Sequence, residues 1–161
     1  PDVLTRIGDA LGLSAQARRQ ALAGSLLLSA DNGHAVHPNF PEKADPANKV
    51  YPNGGVVIKY SANQKYTTTG LTAGLFQAIC QKAGVPVQVF ANRADEPGGS
   101  TLGNLLGHQV SIPMVDIGMA QLAMHSAVET AGSRDPEYMA RACAAFFQAE
   151  FTQTADGVYQ F

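Results

Sequence analysis

The stretch SLLLSADNGHAVHPN, residues 25–39, sets the reading of the whole chain. An apolar run, Ser25-Leu26-Leu27-Leu28, breaks off at Asp31, and His34 and His37 follow before Pro38. Apolar residues without alternation predict a strand over 26–30 that is buried on both faces, as in a parallel or mixed sheet covered by helices. A strand that delivers a carboxylate and imidazoles to its end is also how an α/β active site is built. Asp with nearby His occurs in ordinary capped loops as well, so this stretch alone leaves a structural and a catalytic reading open.

Upstream, Val3, Leu4, Ile7, Ala10 and Leu11 recur at helical spacing, with Asp2 placed to cap the amino end and Gly12 to stop it. Ser14 caps a second predicted helix through Ala23, in which Arg18 and Arg19 form a solvated face. Downstream, 32–53 is rich in Pro, Asn, Gly and charge, keeps no period, and reads as a long functional loop. A strand over 56–60 follows, then a helix over 69–83 with Leu71, Leu75, Phe76, Ile79 and Cys80 on one face and Gly84 as its stop. Strands are predicted over 85–90, where Pro86 marks an edge or a strand start, and over 111–117. The glycine-rich turn RADEPGGSTLG (93–103) leads into a short helix between them. GGSTLG lacks the spacing of a phosphate-binding loop and reads as a capped turn. Asp135 caps and Pro136 opens a final helix whose Tyr138, Met139, Ala142, Cys143, Phe146 and Phe147 make a broad apolar stripe; the tail from Thr152 is unassigned. Helices alternating with short buried strands give an α/β layered domain without internal repeats.

Composition narrows the function classes. The chain has 161 residues, 45% hydrophobic and 15% charged, which is enough for one domain with a real core. A net charge of −2 gives no electrostatic reason to expect nucleic acid or an anionic membrane as partner. No apolar run approaches a membrane span, the first residues lack the pattern of a secretory leader, and a cytoplasmic setting is the expectation. Cys80 and Cys143 have no close Cys or His neighbours in sequence and read as buried free thiols.

Three polar positions stand at or near predicted strand ends: Asp31, Lys59 and His125. An open α/β sheet gathers such positions into one crevice. Aspartate and histidine are zinc donors, but one of each is too few for a catalytic ion. Bland readings stand beside these: His125 among Met119, Leu122 and Met124 as a satisfied core histidine, Lys59 reaching solvent, Tyr66 in the core.

The strings SADNGHAVHPNFPEK, GVVIKYSANQKYTT, AGVPVQVFANRADEPGGSTLG and VDIGMAQLAMHS, in that order, closely resemble the aspartyl aminopeptidases, metallopeptidase family eighteen. The resemblance is strong over residues 1–126 and looser in the last helix. It implies a layered αβα metallopeptidase-like catalytic domain with a mixed, mostly buried sheet, present only in part. It further implies two zinc ions and the removal of amino-terminal aspartate or glutamate from peptides. By position, Asp31 and His125 resemble the family's zinc ligands, and His34, Lys59 and Tyr66 resemble its substrate-binding residues. A lysine beside the acidic side chain is a sound physical basis for such a preference. The family's other ligands and its general-base glutamate have no match here, so the chain resembles the carboxy-terminal part of such an enzyme, without the dimerisation domain and inactive alone. Gly33, Phe40 and Gly98-Gly99 depart from the commonest form of the motifs without touching these positions. The expected partners are the missing amino-terminal part and further copies of the subunit, as in a dodecamer. Cobalt or manganese suits the same ligands. The alternative is a catalytically silent assembly or binding module, with Asp31 and His125 serving the fold and the last helix forming a subunit interface.

Overall fold

A computed structural model describes residues 2–155 and 158–160. In chain order the elements are α1 (Asp2–Ala10), α2 (Ala15–Ala23), β1 (Leu27–Ala30), β2 (Gly33–His34), a 3-10 turn (Pro41–Lys43), β3 (Val56–Tyr60) and α3 (Gly70–Lys82). There follow β4 (Val87–Ala91), α4 (Leu102–Gly107), β5 (Met114–Gly118), β6 (Ala120–Leu122), β7 (Thr130–Ala131), α5 (Asp135–Gln148), β8 (Thr152–Ala155) and β9 (Val158–Gln160). None of the described helices is long and apolar enough to cross a membrane.

The central sheet has the order β1-β5-β3-β4. β1 runs parallel to β5 and β3 parallel to β4, while β3 and β5 are antiparallel, so the sheet is mixed as expected. Its two faces are unlike. Val56 and Ile58 of β3 and Val115 and Ile117 of β5 point to one side, where Ala73, Phe76 and Cys80 of α3 and Ala142 of α5 complete a core of buried residues. Val57 and Phe90 point to the other side, where Ala35, Val50, Tyr66 and Ala120 form a second cluster. Gly103, at the start of α4, also meets this second side, its amide donating to Ser29 Oγ at 3.0 Å. A smaller sheet, β2-β6-β7, extends from the exits of β1 and β5.

Local chemistry explains the long helix. Thr69 Oγ1 accepts from the Thr72 amide at 3.2 Å and Thr72 Oγ1 accepts from the Thr69 amide at 2.9 Å, a reciprocal cap that satisfies two amides otherwise left without partners. Gly84, at φ +63°, ends the helix in the left-handed conformation that glycine adopts without strain.

Several expectations are corrected. β1 is an edge strand with a half-buried Leu27 and Leu28, and only the inner strands β3 and β5 are buried on both sides. The stretch 32–53 is not wholly irregular, because two-residue β2 pairs with β6; two residues are too few to leave a period. Asp135 lies inside α5 with Arg134 at the cap, and its buried carboxylate accepts instead from the amides of Asn53 at 2.8 Å and Gly55 at 3.4 Å, fastening the approach to β3. Leu71 is exposed, and so is Phe147, while Tyr138 and Met139 do pack on the core. Arg18 is not simply solvated: it ion-pairs with Asp9 and lies over Gly8, tying α2 to α1. The apolar side of α1, with Val3, Ile7 and Leu11, is exposed. In the tail, β8 pairs antiparallel with β9. Cys80 is a buried free thiol, as expected, and Cys143 a half-buried one.

Candidate active site

The polar side chains gather on the sheet face opposite α3 and α5. The register Ile58↔Ile117 brings Lys59, one step along, opposite Asp116; Asp116 in turn pairs with Ser29, and Lys59 with Phe90. Residues directly opposite one another in paired strands project to the same side. Ser29, Asp116, Lys59 and Phe90 therefore form one row across the sheet, all four buried.

Lys59 is wholly buried, and its Nζ has no hydrogen-bond partner among the described residues. The ammonium stands 4.8 Å from the centre of the Tyr66 ring, a cation–π arrangement that stabilises charge without using an N–H group on a fixed acceptor. A Cβ on Gly33 would lie 3.7 Å from Lys59 Cδ, so β2 passes directly over the lysine stem. Burial lowers the pKa of Lys59 from the usual lysine value, and the negative charges of Asp31 and Asp116 oppose that fall. For Tyr66, burial raises the hydroxyl pKa; the hydrogen bond from Asn92 Nδ2, at 3.4 Å, works against the rise, and Asp116 and Asp31 add to it.

Asp116 is fully buried, and each of its carboxylate oxygens accepts a hydrogen bond. Its Oδ2 accepts from the Thr67 amide at 2.6 Å and from Thr67 Oγ1 at 2.8 Å, and its Oδ1 accepts from Thr101 Oγ1 at 2.5 Å. The Asp116 amide donates to Thr68 Oγ1 at 2.9 Å, so the segment carrying Tyr66 is pinned to β5 at three points.

Asp31 follows β1 directly, its amide donating to the Ile117 carbonyl at 2.9 Å and its side chain exposed. A Cβ on Gly118 would sit 2.1 Å from the Asp31 carbonyl oxygen, so only glycine lets β5 pass beneath this exit. His34, on β2, is exposed and lines a cleft of 290 Å³ together with His37, Phe40, Asn92 and Gln121. His125 lies past β6 in a turn where Ala123 and His125 adopt φ of +55° and +68°, a conformation uncommon for non-glycine residues. Glu129 holds that turn by accepting from the His125 amide at 2.6 Å.

The geometry amends the strand-end expectation. β3 runs against β1 and β5, so Lys59 is level with Ser29 in mid-sheet and reaches the site across the face, not from the edge shared with Asp31. Lys59, Tyr66, Asp31 and Asp116 are thereby brought within electrostatic reach of one another. Among the described residues, no group of three or more His, Cys, Asp or Glu side chains stands close enough to hold a metal ion. Asp31 and His125 are of the donor types zinc accepts, and both are exposed, but two donors are fewer than the three protein ligands a catalytic zinc requires. They fit the metal in kind and leave the set incomplete. Sequence reading missed Asp116, although a carboxylate inside the buried apolar strand VDIG is a signal in itself. It also missed Thr67 and Glu129, whose partners lie 49 and 4 residues away, and it read Thr101, beside Ser100, as the cap of the glycine-rich turn, where the Thr101 hydroxyl makes no cap bond and donates instead to Asp116, 15 residues on.

Similar proteins agree with this architecture. A protein of Mycobacterium leprae described as "Probable M18 family aminopeptidase 2" is 46% identical over 148 residues, 92% of this chain and 35% of the relative. A chain in the cryo-EM structure of the Ape4 and Nbr1 complex shares 40% identity and superposes with a TM-score of 0.88, over 92% of this chain and 28% of that one. The S. cerevisiae mApe1 dodecamer gives 31% identity and a TM-score of 0.70, over 79% of this chain and 27% of that one. The chain thus spans about a third of the length of the relatives it matches. The sequence model of the Aminopeptidase I zinc metalloproteases (M18) matches residues 1–147, and the chain belongs to that family.

Proposed function

We propose that this chain supplies the acid-reading half of a dinuclear zinc aminopeptidase that removes amino-terminal aspartate or glutamate from peptides. The observation that carries the reading is the buried, unpartnered ammonium of Lys59 over the Tyr66 ring. A buried cation without a hydrogen-bond acceptor is costly, and an incoming carboxylate would supply one. Asp31 and His125 would hold zinc, which when bound polarises a carbonyl and makes water a better nucleophile. Lys59 would orient the substrate by its acidic side chain, Tyr66 would wall the pocket, and His34, at the mouth of the cleft, would donate a hydrogen bond to substrate.

The remaining ligands and the general base would come from polypeptide outside these 161 residues, and the chain alone would be inactive. Its span of about a third of its relatives and the exposed apolar side of α1 support that part of the proposal. Closed homo-oligomers are proposed on the dodecamer of the S. cerevisiae neighbour, and a cytoplasmic setting on the two free thiols. Lys59→Met in the zinc-loaded enzyme tests the reading. The ratio of kcat/KM for an aspartyl over an asparaginyl peptide should fall about 100-fold, the size of a lost hydrogen-bonded charge. An unchanged ratio would contradict it.

A further inference from the structure

Asp116 has an unusual combination of properties for a buried carboxylate. It lies opposite Lys59 on the same sheet face, yet no hydrogen bond joins it to the ammonium. Its oxygens are occupied by Thr67 and Thr101. The Thr101 arrangement runs against local stability: Thr101 stands at the N-cap of α4, where its hydroxyl would ordinarily accept from a helix amide, but it makes no such bond and donates to Asp116. Thr67 donates twice to the same carboxylate, and Thr67 follows Tyr66 directly in the chain.

We propose that Asp116 is a buried, fixed countercharge of the acidic-side-chain pocket, acting beside the exposed Asp31: an anion held off Lys59 by threonine donors, so that it stabilises the ammonium while leaving its N–H groups for a substrate carboxylate. The inference rests on the proposed role of Lys59 and extends it to three residues that touch no substrate. The physical requirement is plain. A pocket that reads a carboxylate needs a buried cation, and a buried cation needs negative charge nearby. Were that charge to form a direct ion pair, it would compete with the substrate for the same donors. Anchoring its oxygens on Thr67 and Thr101 fixes where the carboxylate points and separates the two tasks. The same bonds fix the position of Tyr66, so charge and wall of the pocket are set by one group.

The test is steady-state kinetics of the zinc-loaded enzyme on paired aspartyl and asparaginyl peptides, which differ in charge and scarcely in shape. Asp116→Asn should lower the aspartyl-to-asparaginyl ratio of kcat/KM about tenfold, through aspartyl KM more than kcat, as expected for loss of a close opposite charge. Thr101→Val frees one carboxylate oxygen to turn toward Lys59 and should move the ratio in the same direction by a smaller factor, with Thr101→Ser restoring it. Thr101→Val keeps the proposal falsifiable should Asp116→Asn fold poorly. A purely structural role would lower kcat on both peptides in proportion and leave the ratio unchanged, and that outcome in either folded variant overturns the proposal. Lys59→Met separates the two levels: if it abolishes the ratio while Asp116→Asn and Thr101→Val preserve it, the assignment of Asp116 fails alone. If Lys59→Met preserves the ratio, the acidic reading fails and this inference with it.

Discussion

The two faces of the central sheet are made from alternate residues of the same strands, yet they solve different problems. On the α3 and α5 side, Val56, Ile58, Val115 and Ile117 meet Phe76 and Cys80, every one of them buried and apolar. On the other side the same two strands present Lys59 and Asp116, equally buried and charged. One face contributes stability through area removed from water; the other holds charge in a place where charge is costly. Burial alone therefore does not identify a core position: what a substitution costs depends on the face.

The largest effect should come from the apolar face. Phe76→Ala leaves a cavity among fully buried neighbours and should destabilise by about 3–5 kcal/mol, read as a shift in denaturant midpoint. On the opposite face Lys59→Met should cost less than Phe76→Ala, because it removes a buried ammonium without a hydrogen-bond partner together with the cation that faces Asp116. A Lys59→Met chain that unfolds as readily as Phe76→Ala would erase the distinction between the faces.

Titration sharpens the contrast. The pKa of Lys59 is depressed in the folded state, so toward pH 10.5 the unfolded chain binds more protons there, and the contribution of Lys59 to stability rises with pH. The stability of the parent chain relative to Lys59→Met should therefore rise as pH climbs toward 10.5. Cys80, on the apolar face, behaves in reverse: burial raises its thiol pKa from 9.0 to about 12, and proximity to Cys143 adds to the rise. In that window the folded chain keeps a proton that the unfolded chain has lost, so stability falls as pH rises from 9.0 to about 12. Cys80→Ala should flatten that fall in urea titrations at fixed pH steps. The smallest effect belongs to neither face: Ile7 on α1 is 51% exposed, and Ile7→Ser should change the stability of this chain by less than about 0.5 kcal/mol.

Legibility in the sequence followed the same division. Periodicity located α1, α2, α3 and α5, because burial of one face leaves a repeating pattern, and apolar runs located β3 at its observed bounds and β5 within one to three residues. β2 left no pattern, since its two residues depend on β6, some 87 positions away. Asp135 looked like a cap because Asp before Pro at a helix start usually is one; its actual partners, the amides of Asn53 and Gly55, are set by tertiary packing. In the candidate site, Asp31, His34, Lys59, Tyr66 and His125 were named from motif resemblance and strand-end position. The direction of β3 was not legible, so the sequence placed Lys59 at an edge crevice when it lies in mid-sheet. Asp116 and its threonines form a network across strands and loops, and such networks have no local spacing to read.

The most direct measurement is hydrolysis of an amino-terminal aspartyl peptide by the 161-residue chain alone and by the chain assembled with the polypeptide proposed to complete it, each with and without chelator and added zinc. The chain alone should hydrolyse nothing, and the assembly should show chelator-sensitive, zinc-restored hydrolysis with aspartyl preferred over asparaginyl peptide. Chelator-sensitive turnover by the chain alone, or an assembly that cleaves both peptides equally well, would contradict the proposed function.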